Sequence, residues 1–397
     1  MRWPSGIPNL IAAVFLTALL PFLSACARPA PESKAGAAGY VGSKKCAECH
    51  DRIYSSWQGT LHAMAFQDAR KDPQLIRGDF TTPNELRNFK KEDVVFVHGV
   101  QWKQRYIDKN WRIQQAQWNF ESKQWGKSPT FGKVEKSDWR KECAQCHVVG
   151  FNPEALTWVE DGVGCESCHG PGGRHAAADG AKRAGTIVNP AKLPFGIAAA
   201  VCGQCHTRGK SPDGKWSHPI GFKPGDDLGP QHFTIAPKSD DKAWWPSGNM
   251  RQHRQQYPEW LESRHMKGGV SCFTCHAVHE SPTKFATRLS PNNLCLNCHA
   301  NVSTDAVTGH APIAGAPQHA NCVGCHMAAV GKSADTGDER IHTFKVLKPE
   351  ATLKLGGGDL AKQPNACNAC HYHKDSKPAD LQRALDEGKK QRARGKG

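Results

Sequence analysis

The sequence predicts a mainly α-helical fold with much irregular loop, around an interior that aliphatic side chains do not fill by themselves. Only 38% of the 397 residues are hydrophobic and 8% are aromatic, which is little for a chain that must bury one large apolar core. Gly and Pro are frequent, and helical periodicity comes in short stretches such as residues 52–66 and 252–266. The 17 Cys and 20 His recur in a fixed pattern, so we expect a large cofactor bound through them to fill the core.

One motif occurs eight times: two cysteines three positions apart, followed directly by a histidine. Numbered one to eight along the chain, the copies are Cys46/Cys49/His50, Cys143/Cys146/His147, Cys165/Cys168/His169, Cys202/Cys205/His206, Cys272/Cys275/His276, Cys295/Cys298/His299, Cys322/Cys325/His326 and Cys367/Cys370/His371. In c-type haem attachment, both thiols form thioethers with the porphyrin vinyl groups and the next residue binds the iron. Zinc sites and disulfides also use paired cysteines, but neither requires a histidine after every pair. The pattern predicts eight covalently bound c-type haems.

The ligand on the other side of each iron is less clearly specified. Removing the eight motif histidines from 20 leaves twelve: His62, His98, His175, His218, His232, His253, His265, His279, His310, His319, His342 and His373. Four methionines lie outside the leader, so methionine can serve four irons at most: Met64, Met250, Met266 and Met327. These numbers favour two histidines per iron and a low reduction potential, since methionine ligation raises the potential. A spare histidine can instead lie at the surface or bond a propionate, and His218 and His373 fit that description best.

A short internal repeat narrows the choice of distal ligands. Residues 57–62 and 260–265 share the pattern Trp-x-x-Ser/Thr-x-His, which ends at His62 and His265. Recurrence around a ligand-capable histidine predicts one structural device that is used twice. Three other histidines lie too close to a motif to bind that motif's own iron comfortably, so we expect them to reach a neighbouring iron: His175, His279 and His319.

The N-terminus predicts export and a lipid anchor. Residues 1–25 have a basic start, a short apolar stretch and small residues at the end, as in a signal peptide. Leu23-Ser24-Ala25-Cys26 resembles a bacterial lipobox, and Cys26 is the one cysteine outside the motifs. We predict that Cys26 is lipidated, with a plain signal peptide before a free thiol as the alternative. Ala27 favours sorting to the outer membrane, and residues 26–39 are expected to form a flexible tether.

The net charge of +15 would suggest nucleic acid or an anionic membrane surface as a partner. Eight haems, however, bring two propionates each, or about sixteen carboxylates, which nearly cancel the excess of Lys and Arg. The sequence also has no helix-turn-helix, zinc-finger or RNA-binding signature. We therefore expect no nucleic-acid partner.

The spacing of the motifs predicts the organisation of the chain. The 93 residues between Cys49 and Cys143 hold the only convincing strand pattern, in residues 93–98 and 106–107 followed by three tryptophans, so a small sheet is expected there. We predict a first-haem segment with this small β portion at residues 40–142 and a seven-haem domain at 143–377. A basic tail follows at 378–397, with a short helix around Leu381 and Leu385 and disorder from residue 388.

Several segments resemble the bacterial multihaem cytochromes related to nitrifier tetrahaem cytochromes and to pentahaem and octahaem reductases. They are residues 40–43 before Cys46, residues 98–106, residues 164–172 with His175, residues 187–190, residues 269–279, His326-Met327, residues 342–344 and residues 364–367. The resemblance implies a multihaem cytochrome c fold with a haem-filled core. It also implies distal ligation by His62, His175, His265, His279, His319 and His342, with His253 and His310 as the remainder.

Three functions are compatible with these features. All eight motifs keep their histidine, whereas the related nitrite reductases replace one with lysine. This favours an electron carrier of a respiratory or extracellular chain, periplasmic or at the outer membrane, which exchanges electrons with redox partner proteins and has no catalytic residue. The alternative is a reductase or oxidase of a small nitrogen or sulfur compound, such as nitrite, hydroxylamine or sulfite, with one open haem. The third possibility is a protomer of a filament. No feature of the sequence distinguishes it from the other two functions, and the oligomeric state stays open.

Overall fold

The computed structural model describes residues 39–280, 285–300 and 322–394. The predicted signal peptide, the tether, Cys26 and two of the distal ligand candidates, His310 and His319, lie outside the described residues. Within them, no helix is both long enough and apolar enough to cross a membrane.

Short helices carry most of the motifs. The α-helices are α1 Ser43–Gln58, α2 Trp139–Glu142, α3 Ala144–His147, α4 Cys165–His169, α5 Gly173–Ala177, α6 Phe195–Gly203, α7 Gln256–Leu261, α8 Arg264–Lys267, α9 Cys272–Cys275, α10 Pro291–Leu296, α11 Cys322–His326, α12 Pro349–Gly356 and α13 Pro378–Arg394. Single 3₁₀ turns are formed by Pro73–Leu75, Lys91–Asp93, Val134–Lys136, Gly180–Arg183 and Pro190–Lys192. Residues three apart lie on one face of a helical turn, so both thiols of a motif face the same side. This local geometry is what a doubly attached macrocycle requires.

The sheet predicted between motifs one and two is present and is larger than expected. It has five antiparallel strands in sequence order: β1 Phe66–Asp68, β2 Phe96–His98, β3 Lys103–Ile107, β4 Ile113–Asn119 and β5 Gln124–Lys127. Trp118 of β4 lies opposite Trp125 of β5. β4 and β5 follow the predicted strands and fall among the tryptophans, where the strand pattern is weakest.

Side chains on the two faces of this sheet belong to different cores. In the register of β2 and β3, Phe96 lies opposite Ile107 and Val97 lies opposite Tyr106. Phe96 and Ile107 pack in one buried cluster with Trp139, whereas Val97 and Tyr106 pack in another. Alternate residues of a strand point to opposite faces. The Trp139 face therefore fixes α2 and α3, which carry motif two, against the sheet.

Three small hairpins add further β structure. They are β6 Val148–Val149 with β7 Glu160–Asp161, β8 Gly209–Lys210 with β9 Thr234–Ile235, and β10 Ala329–Lys332 with β11 Thr336–Arg340. The β10–β11 hairpin contacts the five-stranded sheet and the residue before β3. Asn119 Nδ2 of β4 donates to Asp335 Oδ1 in the hairpin turn at 3.1 Å, and Trp102 Nε1 donates to the Asp338 carbonyl of β11 at 3.0 Å. The fold is thus mixed α and β with many loops, and less helical than predicted.

The C-terminal region is more helical than expected. α13 continues to Arg394, where the sequence predicted a disordered tail from residue 388. It packs against α12, and the Glu350 backbone N–H donates to Gln382 Oε1 at 3.0 Å. Leu381, on the predicted apolar face, is buried. Tertiary contact with α12 stabilises a helix whose polar sequence is weakly helical by itself.

Candidate haem centres

Five motif histidines face a second histidine ring at nearly the same distance. The ring centres are 6.4 Å apart for His50 and His175, 6.3 Å for His206 and His62, 6.0 Å for His169 and His279, 6.4 Å for His276 and His342, and 6.0 Å for His299 and His265. A metal–imidazole bond is about 2 Å long and the ring nitrogen lies about 1 Å from the ring centre, so two imidazoles on one iron have centres about 6 Å apart. The residues present therefore fit bis-histidine haem iron at these five motifs.

Each of these second histidines lies outside the motif that it faces and at some distance from it along the sequence. His175 follows motif three but faces His50 of motif one, and His62 follows motif one but faces His206 of motif four. His279 likewise follows motif five and faces His169 of motif three. Iron bonds across these pairs would tie distant segments together. Of the three histidines expected to reach a neighbouring iron, His175 and His279 each face the histidine of another motif, and His319 lies outside the described residues.

The Trp-x-x-Ser/Thr-x-His repeat forms the same device at both sites. Trp57 Nε1 donates to the Val163 carbonyl at 3.1 Å, and Trp260 Nε1 donates to the Val270 carbonyl at 2.9 Å. Thr60 and Ser263 then accept backbone N–H groups three residues later, through their hydroxyl oxygens. The tryptophan anchors the segment and the hydroxyl closes the turn that presents the histidine.

Hydrogen bonds at Nδ1 orient several of the imidazoles. The acceptors are the Val188 carbonyl for His169 at 2.8 Å, the Phe285 carbonyl for His276 at 3.1 Å, the Phe344 carbonyl for His326 at 3.1 Å and the Arg340 carbonyl for His342 at 3.0 Å. A carbonyl only accepts, so Nδ1 carries the proton and Nε2 is free to bind a metal. Burial also lowers the pKa of His342 to about 3, which keeps its imidazole neutral, as ligation requires.

Motif two differs from the five paired motifs. The ring of His98 lies only 4.1 Å from that of His147, at an angle of 54°. Trp139 Nε1 donates to His98 Nδ1 at 3.0 Å. An indole N–H can only donate, so His98 Nδ1 accepts and the proton of the neutral ring sits on Nε2, which then cannot bind iron. Among the described residues, no histidine ring lies 6.0–6.4 Å from that of His147.

The remaining ligand candidates divide into two groups. His253 faces no motif histidine in the described part of the chain; instead, Arg208 Nε donates to its carbonyl at 2.8 Å and Arg208 Nη2 lies 3.4 Å from its Nδ1. No described histidine faces His326 or His371 either, and His310 and His319 are outside the described residues. Iron ligation by His253, His310 and His319 stays a prediction. The sequence did not single out His98 as a residue next to motif two. The one signal for it is that it ends the strand predicted at residues 93–98.

Cysteines of different motifs lie next to each other. The neighbouring thiols are Cys46 and Cys165, Cys146 and Cys205, Cys202 and Cys272, and Cys295 and Cys322. Three further pairs of cysteines are near enough that one thiol makes ionisation of the other less favourable: Cys168 and Cys205, Cys275 and Cys298, and Cys325 and Cys370. Among the described cysteines none forms a disulfide, and this includes the adjacent Cys46 and Cys165. The eight motifs form one connected set, in which motif four adjoins motifs two, three and five.

Comparison with known proteins finds matches among c-type cytochromes. The family described as cytochrome c554 and c-prime matches residues 45–93 and 98–170, and the doubled CXXCH motif matches residues 265–304. Cytochrome c-554 of Nitrosomonas europaea is 28% identical over 147 residues, which are 36% of this chain and 42% of that protein. The match thus spans less than half the length of this relative.

Two solved structures are similar over most of the chain. The outer cell wall cytochrome OcwA has a TM-score of 0.71 and 25% identity, covering 88% of this chain and 86% of its own. The undecahaem cytochrome from the S-layer of Carboxydothermus ferrireducens has a TM-score of 0.48 and 19% identity, covering 89% of this chain and 60% of its own. The motifs of this chain, the spacings of its histidine rings and the matches to cytochrome c-554 and OcwA together show that it is similar to the multihaem c-type cytochromes related to the nitrifier tetrahaem cytochromes.

Proposed function

We propose that the chain carries eight c-type haems and conducts electrons along them, as a lipid-anchored exported protein of a respiratory or extracellular electron-transfer chain. The observation that carries the proposal is the proximity of cysteines from different motifs. Following these neighbours gives a path from motif one through three, four, five, six and seven to eight, with motif two as a side branch at four. Because each haem is attached at its cysteines, adjacent motifs imply adjacent haems.

Bis-histidine ligation suits a conductor of electrons. Both oxidation states of the iron keep the same two ligands, so little rearrangement accompanies each electron, and the reduction potential is lower than with methionine. Five motifs have histidine pairs at a spacing that supports this ligation. The ends of the path, at motifs one and eight, are where redox partner proteins would exchange electrons.

Export and anchoring are supported by the lipobox at Cys26. A relative whose name places it in the outer cell wall gives further support.

The haem number is tested by the intact mass of the mature protein. We expect the polypeptide mass plus eight haems, retained after denaturation because thioethers are covalent, and plus seven for a Cys295→Ala/Cys298→Ala variant. Visible redox titration of the same samples should show all haems reduced at low potential. A wild-type mass with seven or fewer haems would contradict the proposal.

A second candidate function is reduction or oxidation of a small nitrogen or sulfur compound at motif two. The observation that favours it is the proton on His98 Nε2, which leaves His147 without a described histidine partner at iron-bridging distance. Electron paramagnetic resonance of the oxidised protein tests it. One high-spin iron per chain that shifts on addition of imidazole supports an open site, whereas an entirely low-spin spectrum rules it out.

A further inference from the structure

We propose that the Trp-x-x-Ser/Thr-x-His repeat is a positioning device that sets the angle between the two imidazoles on one iron. It crosses the imidazole planes at motifs four and six, whereas the planes are nearly parallel at motifs one, three and five. The angle matters only with iron bound between the paired histidines, so this proposal rests on the proposed function. It goes beyond that function by dividing the haems into two electronic classes and by naming the residues behind the ligands that cause the division.

The five facing pairs of histidines fall into two groups by the angle between their ring planes. The nearly parallel pairs are His50 and His175 at 16°, His169 and His279 at 12°, and His276 and His342 at 23°. The crossed pairs are His62 and His206 at 71°, and His265 and His299 at 82°. An iron–nitrogen bond lies in the plane of its imidazole. For two rings on one iron, the angle between the rings is therefore the angle between the ligand planes.

The two crossed pairs are those that contain a histidine of the repeat. His62 ends the repeat at residues 57–62 and faces motif four, and His265 ends the repeat at residues 260–265 and faces motif six. None of the three parallel pairs contains a histidine of the repeat. One local sequence, used in two distant segments, thus coincides with one ligand geometry.

At the first site one valine holds both ends of the repeat. The Val163 N–H donates to the His62 carbonyl at 2.9 Å, and the Val163 carbonyl accepts Trp57 Nε1 at 3.1 Å. The preceding Gly162 has a φ of +83°, and a Cβ there would clash with the Ala63 carbonyl oxygen. Glycine thus lets the chain approach the repeat closely. We call this pair of hydrogen bonds the valine clamp.

The valine clamp recurs at the second site. The Val270 N–H donates to the His265 carbonyl at 2.9 Å, and the Val270 carbonyl accepts Trp260 Nε1 at 2.9 Å. The preceding Gly269 again has a positive φ, of +76°. Both valines lie two residues before the first cysteine of a motif, motif three for Val163 and motif five for Val270. Each clamp therefore ties the ligand of one iron to the chain that enters the preceding motif.

The parallel pairs are oriented in a different way. Nδ1 of His342 donates to a backbone carbonyl at 3.0 Å, and Nδ1 of His175 lies 3.1 Å from Thr186 Oγ1. A hydrogen bond to the ring itself fixes each of these imidazoles. His265 Nδ1, in contrast, is buried without a hydrogen-bond partner. Its ring is oriented by the clamped backbone and by the nearly perpendicular ring of Phe344, whose centre is 4.2 Å away.

The angle between the ligand planes determines the electronic structure of a ferric haem, which is tuned through its axial ligands. An imidazole π orbital stands perpendicular to its ring and raises the energy of one of two iron dπ orbitals. Parallel imidazoles raise the same dπ orbital, so the two orbitals separate in energy. Crossed imidazoles raise one each, so the two stay nearly equal and keep orbital angular momentum. Parallel ligands therefore give a rhombic low-spin resonance, and crossed ligands give a strongly anisotropic one.

A haem with crossed ligands suits the position of motif four. The cysteines of motif four adjoin those of motifs two, three and five, so its haem would exchange electrons in more than one direction. Two dπ orbitals of similar energy point in perpendicular directions, and either can accept the transferred electron. Crossed ligand planes thus serve a branch point of the path.

The ligand planes are tested by electron paramagnetic resonance of the oxidised holoprotein and of histidine variants that assign each signal to a motif. We expect His62→Ala and His265→Ala each to remove one strongly anisotropic low-spin signal. His175→Ala should remove a rhombic signal instead, and each variant should gain one high-spin iron. If His62→Ala or His265→Ala loses a rhombic signal, the crossed planes are refuted.

The role of the valine clamp is tested with Trp57→Phe and Trp260→Phe, which keep an aromatic ring but lose the indole N–H. We expect the irons to stay low-spin. The signal of motif four should shift towards the rhombic form in Trp57→Phe, and that of motif six should do so in Trp260→Phe. The matched control is Trp244→Phe. Trp244 is buried and donates to the Ala236 carbonyl at 3.2 Å but belongs to neither repeat, so every signal should keep its shape.

Failure of the clamp and failure of the proposed function give different results. A mass with fewer than eight haems, or histidine variants without new high-spin iron, would contradict the proposed function and the clamp with it. Eight haems with both anisotropic signals unchanged in the Trp57 and Trp260 variants would leave the proposed function standing and overturn the clamp. Equal shifts in Trp244→Phe would show a general loosening of the fold and would also overturn it.

Discussion

Trp139 donates its indole N–H to Nδ1 of His98 at 3.0 Å, and this one bond decides which nitrogen of His98 carries the proton. Burial and the neighbouring His147, Arg105, Lys103 and Arg254 hold the pKa of His98 well below its usual range, so the ring is neutral. With Nδ1 accepting, Nε2 is an N–H donor and not a metal ligand. At the carbonyl-bonded ligands described above, the opposite tautomer leaves Nε2 open.

Replacing His98 with alanine should leave the number of low-spin haems unchanged, because its Nε2 carries a proton and does not bind iron. His62→Ala is the matched comparison: it removes the partner of His206 and should add one high-spin iron per chain. Electron paramagnetic resonance of the oxidised variants measures both. A new high-spin signal in His98→Ala would show that His98 is a ligand.

Removing the hydroxyl of Ser263 should weaken the presentation of His265. Ser263 Oγ accepts the Met266 backbone N–H at 3.0 Å at the start of α8, and loss of such a cap costs about 1 kcal/mol. We expect amide exchange at Met266 in Ser263→Ala to be about fivefold faster, with more high-spin iron on warming. Ser290→Ala is the control, since Ser290 precedes α10 without a side-chain capping bond. If the Met266 amide exchanges at the same rate in Ser263→Ala as in Ser290→Ala, the capping role is refuted.

Glu166 should hold the segment before motif one against motif three. Its carboxylate accepts the backbone N–H groups of Val41 at 3.0 Å, Gly42 at 2.7 Å and Gly172 at 2.6 Å, and its side chain is buried. Glu166→Gln leaves one acceptor oxygen for these donors and should destabilise the docking by about 1–3 kcal/mol. Limited proteolysis and hydrogen exchange near residue 41 should therefore accelerate, whereas the exposed Glu154→Gln should behave as wild type. Unchanged protection in Glu166→Gln would contradict this role.

Cys26→Ala should convert the protein from a membrane-bound to a released form if Cys26 carries the lipid anchor. Fractionation and the mass of the mature N-terminus measure this. Wild-type protein in the soluble fraction with an unmodified Cys26 thiol would refute the anchor.

The covalent chemistry of this protein could be read from the sequence because it is local. In c-type haem attachment a thiol, a second thiol three residues on and the adjacent histidine act on one macrocycle, so the eight motifs predict eight attachment sites without knowledge of the fold. The Trp-x-x-Ser/Thr-x-His repeat was visible because the hydroxyl of Thr60 or Ser263 bonds a backbone N–H three residues later, next to His62 or His265. The strands of residues 93–107 were visible from their β-branched and apolar residues.

What only the tertiary structure decided is which of these local units meet. His175 faces His50, and His62 faces His206, through folding that brings distant segments together, and no periodicity in the sequence encodes such a pairing. The two-residue strands β6 to β9 are too short to leave a pattern. The cations near His147 and His98 come from β3, which carries Lys103 and Arg105, and from Arg254 before α7, so their convergence appears only in three dimensions. Spacing along the chain predicts the bonds that each motif would make to a haem, whereas long-range packing determines which histidines face each other and the environment of His147.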